Sequence, residues 1–329
     1  MEVPLSLQNT ENARRTDPSK KCLADFKVEK EIGEGSFSTV YLAREKSREM
    51  REVALKVCLK KHIVKNRMVI YVQREKEALA ILSMEENKHP GIIGIYCTFQ
   101  DAESLYFVLS YAKYGDLWNL MRKQPNKRFT VKDAQYYSAN LLSALDHIHK
   151  HGIIHRDVKT ENLLVQEDGR ILLSDFGSSK FLKDYETQPP VSDKNQNTEE
   201  ERPGRARRAS FTGTAQFCTP ELLEGQRTDP ATDIWAFGVV IYNFLTGILP
   251  FEDISEYLIF RRVQAVLYDF PEDFPDENAK DLVERVLVKK KEDRLTSEQL
   301  MAHKFFESID FEKLQEMEPP KIFLNLEDS

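Results

Sequence analysis

Apolar residues follow two rhythms along this chain. From Asp25 to about Leu109, short β-rich runs dominate: FKVEKEI, TVYLARE, EVALKVCL, IIGIYCTF and SLYFVLS. Their Val, Ile, Tyr and Phe content predicts strands. One stretch, VIYVQREKEALAILSM, interrupts them with helical spacing, placing Val72, Glu75, Leu79 and Leu82 on one face. From Leu117 onward the helical rhythm takes over, as in DAQYYSANLLSALDHIHKHG and NAKDLVERVLV. A small β-rich part followed by a larger helical part predicts an α+β chain of two lobes.

Three segments fit neither rhythm. Residues 1–24 are polar and read as a disordered lead without the apolar core of a signal peptide. Residues 183–208, KDYETQPPVSDKNQNTEEERPGRARR, are filled with Pro, Glu, Gln and Arg. They predict a disordered insert with an acidic first part and a basic end. The uncharged run IWAFGVVIYNFLTGILPF, 234–251, reaches the lower length limit of a membrane span. Asn243, Thr246, two glycines and Pro250 interrupt it, and it reads instead as a helix buried in a large core.

Composition narrows the class. With 329 residues, 41% hydrophobic and 31% charged, the chain has ordinary globular composition. A net charge of -7 argues against general nucleic-acid binding, so the basic run RPGRARRASFTG must be judged locally. Cys22, Cys58, Cys97 and Cys218 are scattered without C-x-x-C spacing. A disulfide framework or zinc site is not expected, and a reduced cytoplasmic or nuclear compartment fits better.

The chemistry concentrates in four places. GEGSFSTV, starting at Gly33 between two predicted strands, lets backbone N–H groups approach phosphate oxygens. In isolation it reads equally as a hairpin turn. Lys56 closes the apolar strand VALK, as a surface lysine would, or as a point charge for the same phosphates. Glu75 sits on the apolar stripe of the following helix, where a carboxylate needs a partner, and Lys56 is that partner. In IIHRDVKTENLLV, Asp157, Lys159 and Asn162 lie between two apolar runs, and Asp175 follows in ILLSDFG. Together these groups can orient a hydroxyl, balance phosphate charge and hold Mg²⁺.

GEGSFSTV, VALK, HRDVKTEN, DFG and TPE, in that order, resemble the signature of the eukaryotic protein kinases over Phe26 to Phe306. GEGSFSTVYLARE, TFQDAESLYFVLSYAKYGDL, GTAQFCTPELL, EYLIF, YDFPEDFP and AHKFFESIDFE are similar to the phosphoinositide-dependent protein kinases of the AGC group. The resemblance implies a bilobal kinase domain at 26–306, with an N-lobe at 26–109 and a C-lobe at 113–306. A C-terminal tail at 307–329 would follow. It implies ATP and Mg²⁺ as cofactors and protein hydroxyls as substrates.

What the resemblance implies for single residues follows. Asp157 would accept the hydrogen bond of the substrate hydroxyl, Lys159 would hold the γ-phosphate, and Asn162 and Asp175 would bind Mg²⁺. Lys56, paired with Glu75, would hold the α- and β-phosphates. The ATP-contacting set would add the loop Ile32, Gly33, Glu34, Gly35, Ser36, Phe37 and Ser38. It would also include Val40 and Ala54, the hinge Leu109, Ser110, Tyr111 and Ala112, then Asp116 on the ribose, Glu161, and Leu164. Glu221 of TPE would pair with Arg294. Lys159 together with Thr214 is the serine/threonine pattern. Ser38 in place of a third glycine is also seen in the resembled family. Thr219 in place of alanine before Pro-Glu, and the long insert, are departures, and a lipid-binding pleckstrin-homology domain is not expected.

Two further sites follow from the resemblance. An N-lobe pocket that docks the hydrophobic motif of AGC-type substrate kinases would comprise Lys60, Ile63, Val64, Val69, Val72, Gln73, Lys76, Thr98, Gln100 and Leu105. The alternative is that these residues merely pack the helix on the sheet. Ser210, between DFG and TPE, would carry an activating phosphate, added by a second copy of the chain and bound by Arg74, Arg156 and Lys180. The Arg-Arg-x-Ser context also suits a basophilic kinase acting from outside. The expectation is an active serine/threonine kinase, since Lys56, Asp157 and Asp175 are all present. The alternative is a pseudokinase-like nucleotide-binding scaffold.

Overall fold

The computed structural model describes residues 20–35, 38–186 and 215–322. Ser36, Phe37, Ser210 and Thr214 lie outside them. The chain forms two compact units, Met1–Lys88 with Ile92–Lys113 and His89–Gly91 with Tyr114–Ser329.

The first unit is a five-stranded antiparallel sheet. Its strands are β1 (Phe26–Glu34), β2 (Ser38–Glu45), β3 (Arg51–Leu59), β4 (Ile95–Gln100) and β5 (Ser104–Ser110). Their order is β1-β2-β3-β5-β4. Side chains alternate along each strand, and β3 shows the consequence. Val53, Leu55 and Val57 join Phe26, Tyr41, Ala43, Tyr106 and Val108 in one apolar cluster. Phe99 stacks between Phe26 and Tyr106, with ring centroids at 5.6 and 4.6 Å. Ala54, Lys56 and Cys58 therefore face the other side. Helices α1 (Lys60–Lys65) and α2 (Val69–Leu82) follow β3. The stripe Val72, Glu75, Ala78, Leu79 and Leu82 of α2 is buried, as its spacing predicts.

The polar lead expected over residues 1–24 gains structure before its end. Leu23 is buried in the sheet cluster. Lys21 bonds the buried Glu45 carboxylate at 2.8 Å. Arg51 holds the same carboxylate from the other side. A buried anion needs such partners, and that requirement orders the chain around residue 21.

The second unit is mainly helical, with α3 (Leu117–Arg122), α4 (Val131–Lys150), α5 (Lys183–Glu186), α6 (Pro220–Leu223), α7 (Pro230–Thr246), α8 (Glu256–Ala265), α9 (Glu277–Val286) and α10 (Ser297–Met301). Two short antiparallel pairs accompany them: β6 (Ile153–Ile154) with β9 (Lys180–Phe181), and β7 (Leu163–Val165) with β8 (Ile171–Leu173). The uncharged run at 234–251 supplies α7, which is buried from Thr232 to Leu245. Asp229 caps its start with Pro230 at the first helical position. Gly247 ends it at φ +78°, where a Cβ would lie 2.8 Å from the Lys127 carbonyl oxygen. Gly238 admits α9 closely, since a Cβ there would meet Val286 at 2.6 Å. Among the described residues no helix is long and apolar enough to cross a membrane.

The insert expected from residue 183 begins with the helical turn α5. Tyr185 in that turn is half-buried, with its hydroxyl 2.7 Å from Thr228 Oγ1. The remainder, 187–208, lies outside the described residues.

Candidate active site

In the first unit the strand register brings the candidate phosphate-binding groups onto neighbouring residues. Val40 pairs with Gly33 on one side and with Lys56 on the other. The Gly35 N–H donates to the Ser38 carbonyl at 2.7 Å and closes the turn between β1 and β2. Lys56 Nζ reaches Glu75 Oε1 at 2.6 Å and Oε2 at 2.7 Å. Glu75 is 3% exposed and Lys56 12%. The cost of burying each charge is offset by the other. Ala54 and Leu109 are paired and buried. Ser110 exchanges hydrogen bonds with Gly94, its Oγ accepting from the Gly94 N–H at 3.2 Å. Tyr111 and Ala112 follow, half-buried, and Ile32 is exposed.

In the second unit one buried carboxylate organises the catalytic-loop candidates. Asp233, in the first turn of α7, accepts from the His155 N–H and the Arg156 N–H, both at 2.8 Å. His149 Nε2 lies 2.7 Å from the same group. Burial opposes ionisation of Asp233, yet the hydrogen bonds from His149 and from the Arg156 N–H hold its pKa below the ordinary value. These bonds fix Arg156 at φ +67°, a conformation non-glycine residues adopt only when surroundings enforce it. His155 Nε2–H donates to the Ser174 carbonyl at 3.0 Å. That leaves Nδ1 to accept from the Asp157 N–H at 3.3 Å. Sequence reasoning missed Asp233, which shows in the sequence only as an ordinary helix-start acid.

Asp157 thus sits on a rigid turn. Lys159 Nζ donates to its Oδ2 at 2.9 Å. Asn162 Nδ2 donates to its carbonyl at 2.7 Å and to Oδ2 at 3.2 Å. Burial disfavours the Lys159 cation, but Asp157, Glu161 and Asp175 together raise its pKa above the ordinary lysine value. Asp175 is exposed, at φ +61°, with Oδ1 accepting from the Gly177 N–H at 3.3 Å. Asp157 also lines a recess with Arg156, Val158, Phe217, Cys218 and Thr219, so the segment before Pro-Glu faces it. Leu164 lies on β7 and bridges to Asp116. Asp116 caps α3, accepting from the Asn119 N–H at 2.8 Å.

Glu221 and Arg294 meet in a buried fork, Nη1 to Oε1 at 2.8 Å and Nη2 to Oε2 at 2.7 Å. Arg294 also lies over the Trp235 ring, 4.9 Å from its centroid. The candidate phosphate-sensing cations have a less simple setting. Lys180 is only 3% exposed, with Nζ 4.4 Å from the Tyr185 ring centroid. Any anion reaching Lys180 must compete with that ring. Arg74 belongs to the first unit, and Arg156 and Lys180 to the second.

The candidate docking residues all belong to the first unit. Ile63 and Val72 are buried and hold α1 and α2 in place, whereas Val64 is 68% and Val69 44% exposed. Lys60 Nζ donates to the Asp101 carbonyl at 2.5 Å. Gln73, Lys76 and Gln100 are exposed, and Thr98 and Leu105 half-buried.

Family comparison agrees with this geometry. The protein kinase domain family matches residues 26–306, and the chain belongs to that family. Within it, the chain is similar to the human 3-phosphoinositide-dependent protein kinase 1, with 43% identity over 311 residues, 93% of this chain and 51% of that one. The human putative 3-phosphoinositide-dependent protein kinase 2 is also 43% identical over 311 residues, and 72% of its length is covered. The serine/threonine-protein kinase ksg1 of Schizosaccharomyces pombe is 42% identical over 310 residues, 93% of this chain and 50% of that one. The chain spans about half the length of most of these relatives.

Proposed function

We propose that this chain is a serine/threonine protein kinase that transfers the γ-phosphate of ATP to a protein hydroxyl. The observation carrying the reading is Asp157. Its carboxylate is fixed by Lys159 and Asn162, and the residue lines a recess together with Cys218 and Thr219. Asp157 Oδ would accept the hydrogen bond of the acceptor hydroxyl and take its proton as the new oxygen–phosphorus bond forms and the bond from the γ-phosphorus to the bridging oxygen breaks, releasing ADP. Lys159, already charged beside Asp157, balances the transferring phosphoryl oxygens. Lys56, held by Glu75, orients the α- and β-phosphates.

The donor set suits Mg²⁺, a hard cation that takes one or two protein oxygens together with phosphate oxygens. Asn162 spends its Nδ2 on Asp157 and so keeps Oδ1 for the metal, and the Asp175 carboxylate is exposed. Bound ATP supplies the phosphoryl group and Mg²⁺ offsets its charge. Val40, Ala54, Leu109 and Leu164 are the proposed adenine contacts, the Ser110–Ala112 backbone its hinge partners, and Asp116 the ribose contact. The loop 32–38, Tyr111 and Glu161 complete the proposed set.

The proposed substrates are activation loops of AGC-type kinases. Exposed Val64 and Val69 support a docking surface for apolar anchors, with Lys60 and Lys76 as its proposed basic rim. Ser210 is the proposed activating phosphorylation site, by trans-phosphorylation between copies. The test compares transfer to an AGC activation-loop peptide with and without an appended aromatic motif. Transfer raised by the motif supports both parts. Nucleotide binding without any transfer would leave only the scaffold reading.

A further inference from the structure

Two stretches of the second unit border the Asp157 turn, and the sequence sets them far apart. The first is β9 with α5, ending at Glu186. The second starts at Ala215 and runs through α6 into the loop before Asp229, the cap of α7. The 28 residues from 187 to 214 separate them. A stretch of that length can extend to about 90 Å, so the backbone alone sets no register between the two. Their register depends on contacts through space.

Tyr185 makes such a contact. Its hydroxyl lies 2.7 Å from Thr228 Oγ1, and Thr228 is 5% exposed. Lys180 Nζ, from β9, lies 4.4 Å from the ring centroid, and the Arg227 guanidinium 5.4 Å. Both distances suit a cation–π contact. The ring therefore joins residues from the two sides of the gap. Each side is anchored in turn. Lys180 pairs with Ile154 on β6, just before His155. The Leu182 N–H donates to the Gly152 carbonyl at 2.8 Å, and the Tyr185 N–H to the Leu182 carbonyl at 3.0 Å. On the far side the Gln226 N–H donates to the Glu221 carbonyl at 2.8 Å, which joins the loop to α6. Lys291 Nζ donates to the Arg227 carbonyl at 3.2 Å and ties the same loop to the helical body. Tyr185 ties it to β9.

We propose that Tyr185 is a positioning residue for the protein substrate, holding the wall of the acceptor recess in register with the Asp157 turn. That wall is Phe217, Cys218, Thr219 and Leu222, which line the recess together with Asp157. Tyr185 touches no reacting group. It acts through Thr228, Arg227 and the Gln226–Glu221 bond on one side, and through Lys180 and β6 on the other. Loosening it shifts the wall against Asp157 and weakens peptide binding. These contacts involve none of the residues proposed for ATP. The contact stands on geometry alone, and its consequence rests on the phosphotransfer reading.

The test is steady-state transfer to a serine peptide that copies an AGC activation loop, with peptide and ATP varied in turn. Tyr185→Leu removes hydroxyl and ring. It should raise KM for the peptide about tenfold and keep KM for ATP within about twofold of wild type. Tyr185→Phe keeps the ring and should recover most of that loss, leaving a rise of about threefold. Thr228→Val should show the same rise, and the double variant Tyr185→Phe/Thr228→Val no more than either alone. A merely structural role would lower the active fraction, and with it kcat, without moving KM. A wild-type peptide KM in Tyr185→Leu, or full additivity in the double variant, would overturn the proposal. Amide hydrogen exchange on the same proteins reads the contact without turnover. The backbone of 225–229 should exchange faster in Tyr185→Leu than in wild type, and at an intermediate rate in Tyr185→Phe. Unchanged exchange would overturn the proposal even in a chain that transfers no phosphate. Faster exchange without transfer by the wild type would support the contact and refute the phosphotransfer reading.

Discussion

Arg294→Met removes the centre of a buried, two-pronged ion pair in the second unit. Arg294 and Glu221 are 5% and 3% exposed. Among the described residues, the substitution leaves the Glu221 carboxylate with only the Thr232 hydroxyl at 3.3 Å. Breaking a buried pair from one side costs about 3–5 kcal/mol. For a folding unit of this size each kcal/mol is worth roughly 2–4 °C in Tm, so the expected fall lies between about 6 and 20 °C. Arg294→Lys should recover little, because an ammonium cannot make the two-pronged bond. The double variant Glu221→Leu/Arg294→Met removes both charges. It should still be less stable than wild type by about 1–3 kcal/mol, because Arg294 also satisfies the Ala231 and Val288 carbonyls, at 2.9 and 3.2 Å. Its loss must nevertheless be smaller than the sum of the two single losses. Denaturant melts of the four proteins supply the cycle. Additivity within about 0.5 kcal/mol, or a single-variant cost below 1 kcal/mol, would refute the claim that this fork ties the Pro-Glu segment to the helical unit.

Leu105→Glu should abolish the advantage that an aromatic motif gives a substrate while sparing a short peptide; equal loss on both would assign these residues to packing alone. Stability should fall as pH drops from about 6.5 to 4. His89 stays neutral in the folded state down to about 4, while the unfolded chain takes up a proton near the ordinary value of 6.5, so protons favour unfolding in that window. His89→Gln should flatten that part of the pH–stability curve, and an unchanged slope would contradict the assignment. Mass spectrometry of protein made in cells should find phosphate on Ser210 in the wild type and none in Asp157→Asn. Phosphate in the inactive variant would replace self-phosphorylation by an outside kinase.

Much of this architecture could be read from periodicity, and the reasons are local. Alternation in β3 and helical spacing in α2 each place one charged residue among apolar ones, and burial requires those two charges, Lys56 and Glu75, to meet. The uncharged run at 234–251 reads correctly as core because polar Asn243 and the glycines suit packing between helices. Asp233 stayed hidden, because its partners are backbone N–H groups at residues 155 and 156, far away in sequence. Tyr185 stayed hidden for a related reason. In a stretch of Pro, Glu and Gln its composition suggests disorder, yet Lys180, Arg227 and Thr228 collect around its ring and hydroxyl. Leu23 is likewise drawn into order by the sheet cluster it covers.

The most direct test of the central claim is a transfer assay with radiolabelled ATP, Mg²⁺ and a serine peptide that copies an AGC activation loop, run beside a nucleotide-binding measurement. In the proposed mechanism Asp157 touches the acceptor hydroxyl and not the nucleotide. Asp157→Asn should therefore bind ATP as wild type does while its turnover falls by about 100-fold or more. Turnover of Asp157→Asn within a few-fold of wild type would contradict the assignment of Asp157, and with it the reading of this chain as a protein kinase working through that carboxylate.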